Sequence, residues 1–578
     1  MKRFLCVVLA LAVSLVFCSC KAAKPAAEAE PETIPETVET AVTEAEPETQ
    51  AETGEEETEA IVDEEVNAVD VQQFGGNILA VDITVNSMGT NDEGYEHQLA
   101  SVRYPGYSLS PECAEAFPEL QKTLEKDTKD YADNAKNVLT ELTSYAEEAI
   151  EEGHYYSENI DYIDPEIRRA DTTVLSIFRS YENYSGGVHG YYAYGGDNYD
   201  VQSGKKLTLA DVIVNMDSFK ATVTEKISAQ YPDVELYLVD ELFADYDGTD
   251  DAALPWCMDY LGITVYFNPY VIGSYAQGAQ IINLPFTEGE GLFDKRFMNT
   301  PDRYVQQLNA EDWAWIDDDG DGAIDCVYVD YEYDEYDPEA EYNSDYKTYR
   351  VNFKGKTLEL GGYNYSGEFY LVHANDQYYV YAFETSDNDY SMLCVADLKT
   401  MTCDMDKAFN AYLPGSFGNY DSTDTGYQSS STTRAFTDPD YMAISSTLDA
   451  LGTMGGQKVY HVGSDGWPVS DSEYYDVKSY FALTPYENVP CAEGELEKGK
   501  FYQIVRTDNK SWVELQEIDR SLIEEYGDDD YKTYSTEIAA EFDPGKTVYR
   551  LEYDCTSWPK IINGKEESEI FSGIMYAG

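Results

Sequence analysis

Between Pro118 and Glu152, apolar residues recur at steps of three, four or seven: Leu120, Leu124, Tyr131, Ala135, Val138, Leu142, Tyr145 and Ala149. That period belongs to a long helix with one apolar stripe turned to a core. Pro118 suits the first turn of such a helix and Gly153 its C-terminal cap. On either side the pattern shortens to strands, at Asn77–Val85, Ser101–Leu109, Thr172–Tyr184 and Tyr191–Val201. A Ser203-Gly204 turn then leads to Thr208 and Asp211, which stand at capping-box spacing before a second helix near residues 211–230. Gly262–Phe267 and Ala279–Leu284 predict two more strands, joined across Pro269–Gly278. Residues 67–295 are therefore predicted to form an α+β domain, with helices on one face of a largely antiparallel sheet.

From about Asp302 the texture is mainly β, divided into one unit over residues 300–445 and another over 446–578. Glu368–Leu398 (EFYLVHANDQYYVYAFETSDNDYSMLCVADL) reads as aromatic meander strands. No repeat of fixed period runs through this half, so a full propeller is not predicted. Gly499–Gln516 is a strand-turn-strand with Asp508-Asn509 at the turn. It resembles bacterial SH3-like modules that bind wall peptides, and a small β-barrel without such a ligand fits it equally well.

The first 66 residues have a different character. Lys2 and Arg3 precede an apolar run from Phe4 to Phe17, the layout of a secretory signal over residues 1–20. Ser19 before Cys20 resembles a bacterial lipobox, which implies that Cys20 becomes a lipidated first residue. Phe17 and Cys18 stand where a Leu and a smaller residue are usual, and a freely secreted protein is the alternative. Residues 21–66 are almost wholly Ala, Glu, Thr and Pro; they have little to bury and repel one another, which predicts an extended acidic spacer. The expected location is extracytoplasmic, attached to the cell membrane by lipid alone.

Formal net charge is −73, and the spacer supplies only a minor part of it. So acidic a surface excludes nucleic acid, whose phosphates need cationic neutralisation, and favours cations and cationic proteins as partners. Of ten Cys, seven lie beyond Cys20 (Cys113, Cys257, Cys326, Cys394, Cys403, Cys491 and Cys555), and no two form a C-x-x-C pair. A zinc ribbon is thereby excluded.

Two stretches carry a family resemblance. Ser185–Ile213 (SGGVHGYYAYGGDNYDVQSGKKLTLADVI) and Gly262–Phe286 (GITVYFNPYVIGSYAQGAQIINLPF) resemble the two signature stretches of the DUF3298 family. The strand and long helix within 67–180 resemble the DUF4163 region that commonly precedes it. The family includes the ectodomain of an anti-sigma factor that senses lysozyme by binding it, and a domain attached to a peptidoglycan deacetylase. The resemblance implies a cell-envelope binding module for a cationic lysozyme-type protein or a peptidoglycan fragment. Signalling and deacetylation do not carry over, because neither a second hydrophobic span nor the deacetylase Asp and His motifs are present.

The sharpest local motif is WIDDDGDGAIDCVYVDYE, residues 315–332. Asp317, Asp319, Asp321, Gly322 and Asp325 fit D-x-D-x-D-G-x-x-D, with the Ala323 carbonyl available between them. Oxygen donors at loop positions one, three, five, seven and nine suit one Ca²⁺ ion, and Gly322 permits the sharp turn. Tyr328 stands where a helical EF-hand has its bidentate Glu, and the following residues alternate like a strand. The loop accordingly resembles the calcium loops of FG-GAP repeats, which implies a structural ion of modest affinity.

A catalytic constellation is not evident. His97, His154, His189, His373 and His461 are widely spaced, and no G-x-S-x-G elbow, P-loop or dinucleotide fingerprint occurs. His189, in the SGGVHG turn, is expected to bond to that turn. Among 111 Asp and Glu, no pair of carboxylates stands out. The expected function is non-catalytic binding; a wall-active hydrolase with an unrecognised site and a purely structural envelope protein are the alternatives.

Overall fold

The computed structural model describes residues 77–576 except 93–96, 155–156, 289–290, 310–311, 334–345, 361–365, 387–389, 418–420, 528–531 and 555–557. The signal, Cys20, the spacer and Cys555 lie outside the described residues. Among the described residues, no helix is long and apolar enough to cross a membrane.

The N-terminal part is built on β1 (Val81–Asn91), β2 (Gln98–Leu109), α1 (Pro111–Ala116), α2 (Pro118–Glu151), β3 (Asn159–Ala170), β4 (Val174–Tyr184) and β5 (Tyr191–Asp200). Strands β1 to β5 lie side by side in chain order. All neighbours run antiparallel except β2 and β3, which are parallel because α1 and α2 carry the chain across between them. The long helix runs as its stripe predicts, with one change near the end. Leu120, Leu124, Ala135 and Leu142 are buried, but Ala146 takes the core position and Tyr145 is 54% exposed. A strict seven-residue step drifts around a 3.6-residue helix, so toward the end of the helix the seam has passed from Tyr145 to its neighbour. The Ser203-Gly204 turn docks on the start of this helix. Gly204 has a φ of +67°, and an added Cβ would lie 2.4 Å from the Glu119 carbonyl oxygen.

Strand β4 is apolar on both faces. Leu175 and Ile177 pack with Leu120 and Leu124 beneath the helix. Val174 and Phe178 face the other way, onto the sheet of β6 (Trp256–Met258), β7 (Gly262–Phe267) and β8 (Gln280–Pro285). Helices α3 (Leu209–Val212), α4 (Met216–Gln230) and α5 (Leu236–Ala244) close that second core. Thr208 and Asp211 form the expected capping box, but it caps only the single turn α3; the helix expected near 211–230 is interrupted after Val212 and starts again as α4 under its own cap, Asn215. The domain is α+β as expected, but both faces of its main sheet are covered.

The main sheet does not end with the N-terminal residues. Gly426–Arg434 pairs antiparallel along β1, from Asp82 opposite Arg434 to Thr90 opposite Gly426, and Gly415–Phe417 pairs outside it. Thr84 and Thr432 hydroxyls share a 2.8 Å hydrogen bond, and Arg434 holds Asp82 through both carboxylate oxygens. The expected 300–445 unit therefore lends strands to the 67–295 sheet. Without them β1 would present a row of unpaired backbone groups.

The remaining strands stack in layers. The first sheet contains β10 (Trp313–Ile316), β11 (Asp325–Tyr333), β12 (Tyr346–Phe353) and β13 (Lys356–Leu360), in that order. The second runs β17 (Thr402–Cys403), β16 (Tyr390–Asp397), β15 (Gln377–Ser386), β14 (Ser366–Ala374) and β9 (Tyr304–Leu308). Side chains of this second sheet alternate between two cores. Phe369, Leu371, Val380, Ala382, Cys394 and Ala396 pack with the first sheet. Tyr370, Val372, Tyr379, Tyr381, Leu393 and Val395 pack instead with Met442, Ile444, Tyr460 and Val462 of the C-terminal sheet. That third sheet contains the expected hairpin, as Phe501–Thr507 and Trp512–Ile518 joined through Asp508-Asn509, with Asn509 at φ +56°.

Residues 67–295 expressed alone would leave β1 as a sheet edge. Such a fragment is expected to aggregate on size-exclusion chromatography and to melt below the whole chain. A monodisperse fragment with an unchanged melting temperature would show that Gly426–Arg434 is dispensable.

Candidate functional site

Strand β3 ends in Arg168-Arg169-Ala170, and all three residues are buried. Its register against β4 shifts between Ile167 and Arg169, leaving Arg168 as the extra residue of a bulge. Arg168 Nε lies 2.8 Å from Asp259 Oδ1, Nη1 binds Asp312, and Nη2 donates to the Trp313 carbonyl at 3.2 Å. Gln306 Nε2 adds a 3.2 Å bond to the same Asp259 oxygen. Arg169 is held separately by Asp171 at 2.7 Å and by the carbonyls of Phe297 and Asn299 at 2.7 and 2.9 Å. Both guanidinium groups are thus paired and hydrogen-bonded, the condition for burying charge.

Beside this seam lies a cleft of about 370 Å³, lined by Phe178, Tyr194, Tyr266, Tyr331, Tyr349 and, among its polar groups, Asn309 and Asp312. Its floor is one face of the main sheet. Glu166 stands opposite Phe178, Asp164 opposite Ser180, and Ser180 opposite Tyr194, and directly opposed residues share a face. Glu166 is 6% exposed and accepts a hydrogen bond from the Asn309 amide through Oε1. Its Oε2 finds no hydrogen-bond partner among the described residues. Burial, reinforced by the Asp312 charge and opposed by Arg168, pushes this carboxyl up from the ordinary 4.5 to about 8. At neutral pH the side chain is therefore mostly a neutral acid, able to donate a proton or a hydrogen bond. Aromatic walls around a few fixed polar groups suit the apolar faces and hydroxyl edges of a sugar.

The aspartate loop separates β10 from β11. Asp317, Asp319 and Asp321 each offer an oxygen, with all three within 4.8 Å of one another. Asp317 accepts from the Gly320 and Gly322 amides at 2.8 and 3.0 Å, and Asp321 accepts from the Ala323 amide at 2.7 Å. Gly320 and Gly322 both have positive φ, +74° and +84°, so the sharp turn forms where expected. Asp325 is placed differently, at the head of β11, where its carboxylate lies 2.9 Å from Lys354 Nζ. The same ammonium binds Asp318. Three of the four expected carboxylates converge, and the fourth is tied to a lysine on the β12–β13 turn. The three fit a hard cation in donor type and spacing.

His189 occupies the exposed turn between β4 and β5, where Gly186 and Gly187 take φ of +90° and +101°. Its ring stacks on Tyr275 at 4.3 Å, and Nδ1 lies 2.7 Å from the Gly190 carbonyl, consistent with a turn-bonded histidine. The two DUF3298-like stretches meet here, since Tyr192 OH accepts from the Ala279 amide at 3.1 Å. Cys113, Cys257, Cys326, Cys394, Cys403 and Cys491 are free thiols. Neither Glu166 nor Arg168 stands out in the sequence. Their signal was the charged tetrad Glu166-Ile-Arg-Arg169 leading into the apolar Thr172–Tyr184 stretch, a composition equally typical of a solvated loop.

No family model matches the sequence, and no curated protein matches it. Among solved structures, a DUF3298 family member from Bacteroides fragilis NCTC 9343 aligns at 18% identity, covering 38% of this chain and 96% of its own, with a TM-score of 0.29. A DUF3298 family protein from Pseudomonas aeruginosa PAO1 aligns at 17% identity over 39% of this chain and 98% of its own, with a TM-score of 0.26. Both belong to the family that the two signature stretches resemble.

The raised carboxyl makes a pH prediction. Folding tightens the hold of Glu166 on its proton, so its contribution to stability is complete below about pH 4.5 and is lost as pH rises through 8. The limiting loss is roughly 4–5 kcal/mol. Urea unfolding at pH 5, 6.5 and 8 should show Glu166→Gln gaining on the wild type as pH rises. Parallel pH profiles for the two proteins would place the buried proton elsewhere.

Proposed function

We propose that this protein is an extracytoplasmic binding module, tethered through lipidated Cys20 and held off the membrane by the acidic spacer. Its ligand is a peptidoglycan-type glycan fragment seated in the aromatic cleft. The observation that carries this reading is the cleft itself: five aromatic rings around Asn309, Asp312 and two serines, where three sheets meet. The acidic surface supports a second ligand class, a cationic lysozyme-type protein, since complementary charge raises encounter rates and falls away with salt. Neutral Glu166 gives the hydrolase alternative its one specific support, because a carboxylic acid kept protonated at pH 7 is what a glycosidic leaving group requires.

Calorimetric titration of the purified protein with muropeptides and chitooligosaccharides should detect binding. Tyr331→Ala should weaken that binding by about 1–3 kcal/mol, the usual worth of an aromatic contact. Lysozyme in a parallel arm tests the charge-based reading at low and high salt. Release of reducing sugar by the wild type, absent in Glu166→Gln, would convert the module into an enzyme. Absence of binding to every glycan at millimolar concentration would remove the cleft from consideration.

We further propose that the aspartate loop holds structural Ca²⁺ through Asp317, Asp319 and Asp321, with the Ala323 carbonyl available and Asp325 joining only if Lys354 releases it. Extracellular calcium modules bind with Kd on the order of 10⁻⁴–10⁻³ M. Calcium at about 10 mM should then stabilise the fold by roughly 1–3 kcal/mol. Differential scanning calorimetry should show the increment in the wild type and lose it in Asp321→Ala; an equal rise in both proteins would exclude the loop.

A further inference from the structure

A second set of ligating atoms lies at the far edge of the central sheet. Strands β16 and β17 are antiparallel, with Ala396 opposite Cys403. The chain reverses through Met401 at φ +55° before β17, and just after β17 Met405 opens a single 3-10 turn, Met405–Lys407, that brings its side chain back over Cys394. Three sulfur atoms consequently meet. Cys394 Sγ lies 3.8 Å and Cys403 Sγ 3.6 Å from the same Met405 Sδ. Both thiols point their hydrogens at that one thioether sulfur. Glu384, opposite Met392 on β15, and Asp404 between the two later ligands add negative charge beside the thiols. Cys394 is buried, Cys403 is half-buried and Met405 is 51% exposed, so the sulfur triangle has a closed back and an open front.

We propose that Cys394, Cys403 and Met405 form a binding site for Cu(I). Sulfurs sharing one metal at about 2.3 Å stand about 3.8–4 Å apart in tetrahedral or trigonal geometry, close to the spacing already present. The donor set selects the ion. Two thiolates and a neutral thioether are soft ligands that suit Cu(I), whereas Zn²⁺ sites draw on thiolate, imidazole and carboxylate. Binding releases two protons: each thiol gives up its hydrogen, each sulfur donates a lone pair, the thioether donates a third, and no electron is transferred. The competing chemistry is a disulfide between the same thiols, a two-electron oxidation that needs an oxidant. Its geometry is less favourable, because diagonal cross-strand positions are about 7–8 Å apart and an unstrained disulfide needs its Cα atoms closer than about 7 Å.

The test is anaerobic titration of the reduced full chain with Cu(I) against bicinchoninate, followed by thiolate-to-copper charge-transfer absorption in the ultraviolet. One equivalent of Cu(I) is expected to bind in the wild type and in Cys491→Ala. Cys403→Ser should abolish that tight equivalent. Met405→Leu preserves side-chain volume, so it should fold normally, and it should weaken binding by at least roughly tenfold, since loss of even an outer-shell partner costs 10–100-fold. Zn²⁺ in a parallel titration should compete poorly. The proposal is overturned if Met405→Leu binds Cu(I) as the wild type does, or if uptake survives Cys403→Ser in a protein whose circular dichroism is unchanged. It is equally overturned if the reduced protein takes up no copper and air oxidation yields only a Cys394–Cys403 disulfide by peptide mapping.

Discussion

Arg168 is the charge on which the rest of the architecture hangs. One guanidinium, fully buried, binds Asp259 at the end of the small three-stranded sheet, Asp312 in the loop before β10, and the Trp313 backbone. Three elements far apart in sequence are thereby fixed to the bulge of β3. Removing a partner from such a buried pair typically costs about 3–5 kcal/mol, because an uncompensated charge stays behind. The same bulge explains how consecutive arginines can both be buried: the extra residue breaks the alternation that would send one of them to solvent.

That arrangement also creates the cleft. Arg168 draws Asp312 to the main sheet, and Asp312 then stands close enough to Glu166 to help hold its proton. Aromatic side chains from three sheets close around the site. Packing and charge are continuous here: the Asp312 of the ion pair that staples the sheets adds to the burial that keeps Glu166, packed beside the cleft, protonated. The aspartate loop and the sulfur triangle, by contrast, are local to the β-rich half and draw only on residues near one another in sequence, apart from Lys354.

Legibility follows the range of the interactions. The long helix, the Thr208–Asp211 capping box, the 508–509 hairpin turn and the Gly322 turn were all readable, because each depends on residues within a few positions. Strand β3 was not. Its apolar residues are interrupted by Asp161, Asp164, Glu166, Arg168 and Arg169, charges that make sense only when their distant partners are in place. Tyr145 was misplaced for a smaller reason, the drift of a seven-residue pattern around a 3.6-residue turn. The return of Gly426–Arg434 to β1 was equally hidden, since a Ser- and Thr-rich strand carries no mark of the sheet it will join.

By itself the sequence determined the α+β and mainly β halves, the large negative net charge and the spacing of the aspartate loop. Each rests on periodicity, composition or local spacing, which a linear chain displays directly. Only the tertiary structure decided which carboxylates of so many are buried, that Asp325 turns to Lys354, that β1 is covered by Gly426–Arg434, and that three sulfurs meet at one sheet edge. The buried carboxylates and the covered β1 depend on pairings between strands distant in sequence, and the energy that fixes them exists only once the desolvated partners are brought together, while the Asp325–Lys354 and sulfur contacts depend on how the chain folds back locally.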